Sequence, residues 1–344
     1  VSKFLIVGDL HLSLHFGSID KSELIINRLT SILSKQVSKQ CIVLLGDVFD
    51  LPNPSPFHLR YFSKLIPYFK NNQVRIIMGN HDVARSSNNF SLMPFKGLFK
   101  NIDIIDKAKR IEGKKYNYVF LPYYYNDSDL ELIDKKSIVF SHRDTDFNID
   151  ERFNKLPYVL NFNGHIHTPN INDENPFSYI NVGSVVKYNM SEKDDDKYII
   201  SFDDDTLEYE WINIETEKMF NVIADYTKNK LIINDRFYRL SKINYEKISY
   251  IKGSYIDFCL RIPNANDAKN SKVVKLTDFV NENCYIRKYD ILSLDKYRTY
   301  KTLENVDTPA NMVKEYVNRF YKGEDKKSVI KLATGVLKEC GLKN

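Results

Sequence analysis

The chain has 344 residues, of which 43% are apolar and 28% charged. That balance excludes a mainly disordered or collagen-like protein, and the length suits one large domain with appendages or two to three domains. Its 50 Lys and Arg against 45 Asp and Glu leave a formal charge of +5, compatible with a polyanionic partner without specifying one.

The cysteines Cys41, Cys259, Cys284 and Cys340 are far apart and form no CxxC pair. A disulfide framework or a structural zinc site is therefore not expected, and a reducing compartment fits. Phe4–Val7 is too short for a signal peptide, and apolar runs such as Cys41–Leu45 are strand-sized rather than membrane-spanning. A cytoplasmic protein is expected.

In chain order, three short β-branched runs end in Gly and a polar residue: Phe4–Asp9, Ile42–Asp47 and Arg75–Asn80. Continuous apolar runs of this length suit strands buried on both faces. Leu24, Ile25, Leu29, Ile32 and Leu33 recur at helical spacing between the first two runs. Leu59, Phe62, Leu65 and Ile66 do so between the second and third. This predicts a βαβαβ start whose strand ends carry polar groups where α/β sheets bind ligands. Strands then dominate: 102–105, 118–121, 137–140, 158–162, 179–182, 198–202 and 207–212, predicting a layered sheet sandwich that ends near Glu217. Residues 218–243 read as a connector. A compact unit over 244–300 follows, with a strand at 255–262, a helix around 273–281 and a strand at 285–292. Two helices are predicted in 301–344. Thr308–Pro309 caps the first, which aligns Val313, Val317 and Phe320; the second aligns Leu332 and Val336.

Five of the seven histidines lie in polar clusters, each just after a predicted strand. The clusters are Asp9-Leu-His11, Gly79-Asn-His-Asp82, Ser141-His142 and Gly164-His-Ile-His167, with Gly46-Asp47 beside them. Singly, each has an ordinary reading: a turn, a cap or a satisfied core histidine. Together they place about eight carboxylate, amide and imidazole groups along one sheet edge, enough for two ions if one carboxylate bridges. Such a donor set suits borderline divalent metals such as manganese, iron or zinc. Gly-His-x-His also sets both rings on one side of an extended segment.

This ordered set resembles the calcineurin-like metallophosphoesterase superfamily over roughly residues 4–170. The resemblance implies a four-layer metallophosphoesterase β-sandwich flanked by helices, of α/β (α+β layered) class. It also implies two divalent ions, Mn2+ first, with Mg2+, Fe2+ or Zn2+ as other candidates. Asp9, His11, Asp47 and His167 would hold one. Asp47 as bridge, with Asn80, His142 and His165, would hold the other. His81 would act near the scissile phosphate as acid or transition-state stabiliser, oriented by Asp82. The fourth motif departs from the family pattern, with Ser141 where Gly is usual, and Arg143 after it is a candidate phosphate contact.

Gly46-Asp-Val-Phe-Asp50 with Pro54-Ser-Pro56, and Asn181-Val-Gly-Ser184 with Glu192 and Lys197, resemble elements of SbcD-type DNA nucleases. Size and tail are similar to the small nuclease subunit of T4-type phage recombination endonucleases. That likeness implies a nuclease domain over 1–217, the 218–243 connector, an α/β capping domain over 244–300 that binds DNA, and C-terminal helices over 301–344. These helices would dock an SbcC-type ABC ATPase through Val313, Val317, Phe320, Leu332 and Val336. It also implies a homodimer, and an exonuclease on duplex ends and endonuclease on single strands in recombination, repair and replication. Asp50 and Arg143 are the candidate DNA contacts, and Tyr123-Tyr-Tyr125 is a candidate base-stacking stretch. The alternative is a metallophosphodiesterase acting on small or cyclic nucleotide substrates.

Overall fold

Among the 344 residues, the computed structural model describes 3–16, 19–35, 39–84, 90–144, 153, 156–172, 179–293, 325–326 and 328–332. The chain divides into two units, one of residues 1–220 with 253–255 and the other of 221–252 with 256–344.

The first unit is built on two six-stranded sheets. One runs in the order Glu208–Ile214, Lys197–Asp203, Lys3–Val7, Cys41–Leu44, Gln73–Ile77 and Ile102–Ile105. Its last four strands are mutually parallel, with registers such as Phe4↔Cys41, Val43↔Arg75 and Ile76↔Ile104. The other runs Asn170–Asn172, Tyr179–Asn181, Leu160–Gly164, Ser137–His142, Asn117–Leu121 and Lys109–Ile111, and its four central strands are parallel.

Alternation along each strand explains the layers. Phe4, Ile6, Val43, Leu45, Phe120, Phe140 and Phe162 form a core between the sheets, where the Phe120, Phe140 and Phe162 rings stack in series. Leu5, Val7, Ile42 and Leu44 point the other way, against Ile25, Ile26 and Leu29 of helix Ser22–Leu33 and Phe62 of helix Pro56–Ser63. The outer face of the second sheet, through Val119, Leu121 and Val139, is covered by Leu130, Ile133, Phe153 and Tyr158. Each fully buried Leu, Ile or Phe contributes ~1.5–3 kcal/mol, so strands apolar on both faces are stable only inside such a sandwich. The expected layered α/β architecture is the observed one.

Helix Pro56–Ser63 begins where the sequence directs: the Ser55 side chain accepts from His58 N and Pro56 opens the first turn. The apolar spacing that ran on to Ile66 is broken at Lys64, and a short turn, Ile66–Phe69, follows with Pro67 near its start.

In the second unit a five-stranded sheet runs Arg236–Arg239, Lys230–Ile233, Met219–Asp225, Tyr255–Ile262 and Tyr285–Ser293, with helix Ser271–Asn283. Residues 218–243, read from sequence as a connector, supply three of these strands. Lys230–Ile233 and Arg236–Arg239 are only four residues long, and Met219–Asp225 interleaves Asn221 and Asp225 with its apolar residues, so no long apolar run marks them. Leu332 is 73% exposed, whereas Val313, Val317, Phe320 and Val336 lie outside the described residues. Among the described residues no helix is long and apolar enough to cross a membrane.

Candidate metal centre

Parallel strands end at a common edge, and that edge carries the chemistry. Lys3–Val7 delivers Asp9 and His11, Cys41–Leu44 delivers Asp47, and Gln73–Ile77 delivers Asn80 and His81. From the facing sheet, Ser137–His142 delivers His142, while Leu160–Gly164 delivers His165 and His167. Two potential ligand groups result: Asp9, His11 and His167, and beside them Asp47, His142 and His165. Asp47 Oδ2 lies 3.4 Å from His142 Nε2 and 3.9 Å from His11 Nε2, so one carboxylate faces both groups. Asn80 Oδ1 joins the second group, 3.0 Å from His142 Nε2 and 2.9 Å from His165 Nδ1. The seven residues expected as ligands therefore converge as two sets joined by Asp47.

The hydrogen bonds around the rings decide which nitrogens face inward. His142 Nδ1 donates to the Leu45 carbonyl at 2.8 Å, which turns Nε2 toward Asp47 and Asn80. His11 Nδ1 donates to Asp50 Oδ1 at 3.0 Å, and His167 Nδ1 faces Glu192 Oε1 at 3.4 Å. The remaining nitrogens, His11 Nε2 and His167 Nε2, then confront each other at 3.0 Å. Two lone pairs this close, lined by carboxylate oxygens, are a donor set for a shared cation. The residues present fit a dinuclear divalent site.

Backbone geometry is spent on this arrangement. His11, Asp47 and His165 adopt φ of 47°, 44° and 71°, the left-handed region that side chains seldom occupy. Glycine makes room beside them. At Gly79 a Cβ would come within 2.1 Å of Asp47 Oδ1, and at Gly46, with φ 111°, within 2.4 Å of His142 Nδ1. The Asp9 carboxylate accepts from His165 N at 3.1 Å, and Asp47 Oδ1 from His81 N at 2.8 Å.

The electrostatics follow from packing these charges out of water. Burial opposes ionisation of Asp47, but His142, His11 and His81 outweigh it and hold the carboxyl well below its usual range. Burial likewise opposes a charge on His142, yet Asp47 and Asp9 push it up to about 9. For His165 burial and the neighbouring His142 act together and lower it. Glu192, despite burial, is drawn down to about 2 by His167 and Lys197, whose Nζ lies 2.5 Å away and also donates to the His167 carbonyl.

His81 stands at the open side, its side chain 34% exposed and its ring 5.0 Å from that of His11. Its Nδ1 donates to the Asp50 carbonyl at 2.9 Å and lies 3.7 Å from Asp50 Oδ1. Asp82, expected to orient His81, does something else. It is fully buried and its carboxylate accepts from Val48 N, Phe49 N, Gly79 N and Ser91 Oγ at 2.8–3.2 Å. It splints the loops that carry Asp47 and Asn80; the group that holds His81 is Asp50.

Asp50, expected as a DNA contact, has its carboxylate committed inward to His11 and to the Tyr188 hydroxyl at 3.1 Å. Arg143 is 3% exposed, with its guanidinium 3.8 Å from the Phe153 ring centroid, so burial removes it from a surface that meets phosphate. Ser141 in place of glycine is accommodated in an interior amide network, its hydroxyl 2.8 Å from Asn163 Oδ1 and 3.0 Å from Asn161 Oδ1. The Tyr123 ring lies 5.3 Å from that of His165, and Tyr124 beside it is 48% exposed. Sequence reasoning missed Tyr188, whose ring packs 4.6 Å from His11 and 4.7 Å from His167. Glu192 and Lys197 had been noticed only as part of a segment resemblance.

Comparison with known proteins matches residues 3–204 to the calcineurin-like phosphoesterase superfamily domain. Comparison with curated proteins returns no match. Among solved structures the chain is similar to an archaeal phosphodiesterase at 19% identity and TM-score 0.36, covering 61% of this chain and 99% of that one. It is similar to a conserved uncharacterised protein of Streptococcus pneumoniae, a predicted phosphoesterase, at 12% identity and TM-score 0.30, covering 62% and 97%. A Vps29 of Entamoeba histolytica shows 12% identity and TM-score 0.32, covering 62% and 99%. The match over residues 3–204 spans more than half of the sequence and includes every strand that brings a candidate ligand to the shared edge, and the chain belongs to the calcineurin-like phosphoesterase superfamily.

Proposed function

We propose that the chain is a DNA nuclease: a metal-dependent phosphodiesterase acting on duplex ends as an exonuclease and on single strands as an endonuclease. The observation that carries this reading is the pair of buried donor sets joined by Asp47, with the part-exposed His81 at their open side. In this proposal Asp9, His11, His167 and Asp47 hold one divalent ion, and Asp47, Asn80, His142 and His165 the other, Mn2+ being the working metal. When bound, such a pair supplies Lewis acidity that acidifies water and neutralises phosphoryl charge. His81 does the proton work. With Nδ1 committed to the Asp50 carbonyl, Nε2 is left to stabilise or protonate the departing alkoxide.

A polyanionic substrate is supported by where the charge sits. Residues 221–344 hold 24 Lys and Arg against 15 Asp and Glu, whereas residues 1–220 hold 26 against 30. The basic excess belongs to the part of the chain without the metal ligands, as expected if that part meets the phosphate backbone. Tyr123 and Tyr124 beside His165 offer ring faces for unpaired bases. An SbcC-type ATPase, a homodimer and roles in recombination, repair and replication belong to the same proposal.

The test is digestion of end-labelled linear duplex and single-stranded DNA with Mn2+, with and without the candidate ATPase and ATP, beside bis-p-nitrophenyl phosphate. Shortening of DNA that disappears in His81→Gln supports the nuclease reading. Turnover of the small diester or of cyclic nucleotides with DNA left intact overturns it.

A further inference from the structure

A second set of metal-type side chains lies outside the centre described above. His15 and Asp20 are directly paired across the short hairpin of strands His15–Phe16 and Ile19–Asp20, so their side chains share a face. His58, in helix Pro56–Ser63, reaches that face, and its Nε2 lies 2.8 Å from Asp20 Oδ2. One ligand atom from each of His15, Asp20 and His58 lies within 4.8 Å of the others.

We propose that His15, Asp20 and His58 form a third cation site, selective for a late first-row divalent ion of the Zn2+ class. Two imidazoles and one carboxylate, with water completing the shell, are a common zinc donor set and a poor one for Ca2+ or Mg2+.

The surroundings are arranged as a metal ligand requires. His15 Nδ1 donates to the Ser13 carbonyl at 2.7 Å, which fixes the tautomer and leaves Nε2 as a lone-pair donor. Asp20 Oδ1 accepts from Ser22 N at 2.8 Å, which holds the carboxylate at the start of helix Ser22–Leu33 and leaves Oδ2 facing His58 Nε2. His58 Nδ1 lies 2.9 Å from Ser55 Oγ. A hydroxyl accepts as well as donates, so the ring can carry its hydrogen on Nδ1 and free Nε2 for the ion. The site is accessible, with His15 exposed and the His58 and Asp20 side chains 14% and 24% exposed.

An ion here ties together two segments that also serve the dinuclear centre, since His15 follows His11 by four residues and His58 follows Asp50 by eight. The site is therefore structural, a staple on the loops behind His11 and Asp50.

The experiment strips the full chain with chelator, reloads it with Zn2+ or Co2+ in low micromolar excess, and counts bound metal after gel filtration. His15→Gln and Asp20→Asn are each expected to bind one equivalent fewer than the unsubstituted chain and to lose part of the thermal stabilisation by Zn2+. Bis-p-nitrophenyl phosphate turnover in Mn2+ should stay unchanged. Equal metal counts in the unsubstituted chain and both variants overturn the site, as does an equivalent that loads only at millimolar Zn2+. The count is read whether or not the chain cleaves DNA, so failure of the nuclease reading and failure of this one are distinguishable.

Discussion

His11 Nδ1 lies 3.0 Å from Asp50 Oδ1, a bond between residues 39 apart that turns the ring so that its other nitrogen faces His167 and Asp47. The same Asp50 meets His81 through its backbone carbonyl. One residue thus sets both a candidate ligand and the candidate acid. Burial opposes its charge, but His11 and Tyr188 hold its carboxyl below the ordinary range, so it stays an acceptor at neutral pH. Asp50→Ala is expected to lower metal affinity by about 10–100-fold, the usual consequence of removing a carboxylate that orients a ligating histidine. Mn2+ titration by calorimetry reads this; affinity equal to the unsubstituted chain would remove Asp50 from that role. Tyr188→Phe, which deletes only one of the donors to Asp50, should lose far less.

Gly79→Ala tests the close packing around Asp47. A Cβ there meets Asp47 Oδ1 at 2.1 Å and Asp47 N at 2.4 Å, so the Asp47 carboxylate must be displaced. Loss of metal stoichiometry is expected, measured on purified protein by elemental analysis. Gly97→Ala is the control: Gly97 has a positive φ of 75°, but no atom lies within 4 Å of its Cβ position, so only backbone strain of about 1 kcal/mol applies. If both variants retain full metal, the cradle is looser than the geometry indicates.

Asp82→Asn separates a splint from a catalytic partner. The carboxylate takes four donors, two on each oxygen, and burial with the neighbouring Asp47 charge pushes its pKa up to about 6. An amide nitrogen in place of Oδ2 would confront the Val48 and Gly79 N–H groups, and in place of Oδ1 the Phe49 N–H, which costs about 2 kcal/mol or more. Urea denaturation should show that loss. A variant with unchanged stability and reduced turnover would instead restore Asp82 as the group that acts on His81.

The strands and the ligand motifs were legible in the sequence because both are local. An apolar run such as Ile42–Leu45 is buried on both faces, and Gly164-His-Ile-His167 states its spacing within four residues. Bonds between distant positions were not legible. Tyr188 reaches Asp50 across 138 residues and no spacing rule announces it. Asp82 sits beside His81 in sequence, yet its partners include the Val48 and Phe49 amides 34 and 33 residues earlier, so adjacency suggested the wrong role. Arg143 follows a candidate ligand and carries a charge, which suggested phosphate, but the aromatic ring of Phe153 takes its guanidinium inside. In the second unit, Arg236–Arg239 is exposed at three of four positions, so a strand there leaves no apolar pattern to read.

Lys21 provides a pH dependence whose sign is fixed by burial. Its side chain is 1% exposed, 3.6 Å from Glu217 and 4.3 Å from the Tyr255 ring centroid. Burial outweighs the attraction of Glu217 and lowers its pKa from 10.5 to about 8. The unfolded chain therefore binds more protons than the folded one between these values, and folding stability rises with pH across that window. Its contribution is fully present above 10.5 and is lost as pH falls through about 8. Lys21→Met has no such proton to lose, while Glu217 keeps Arg28 at 2.8 Å. Denaturation of both proteins at pH 7, 8, 9 and 10 should show the unsubstituted chain gaining on the variant as pH rises. A constant difference across that range would mean that Lys21 titrates as an ordinary surface lysine, and that the burial of its ammonium is offset by Glu217.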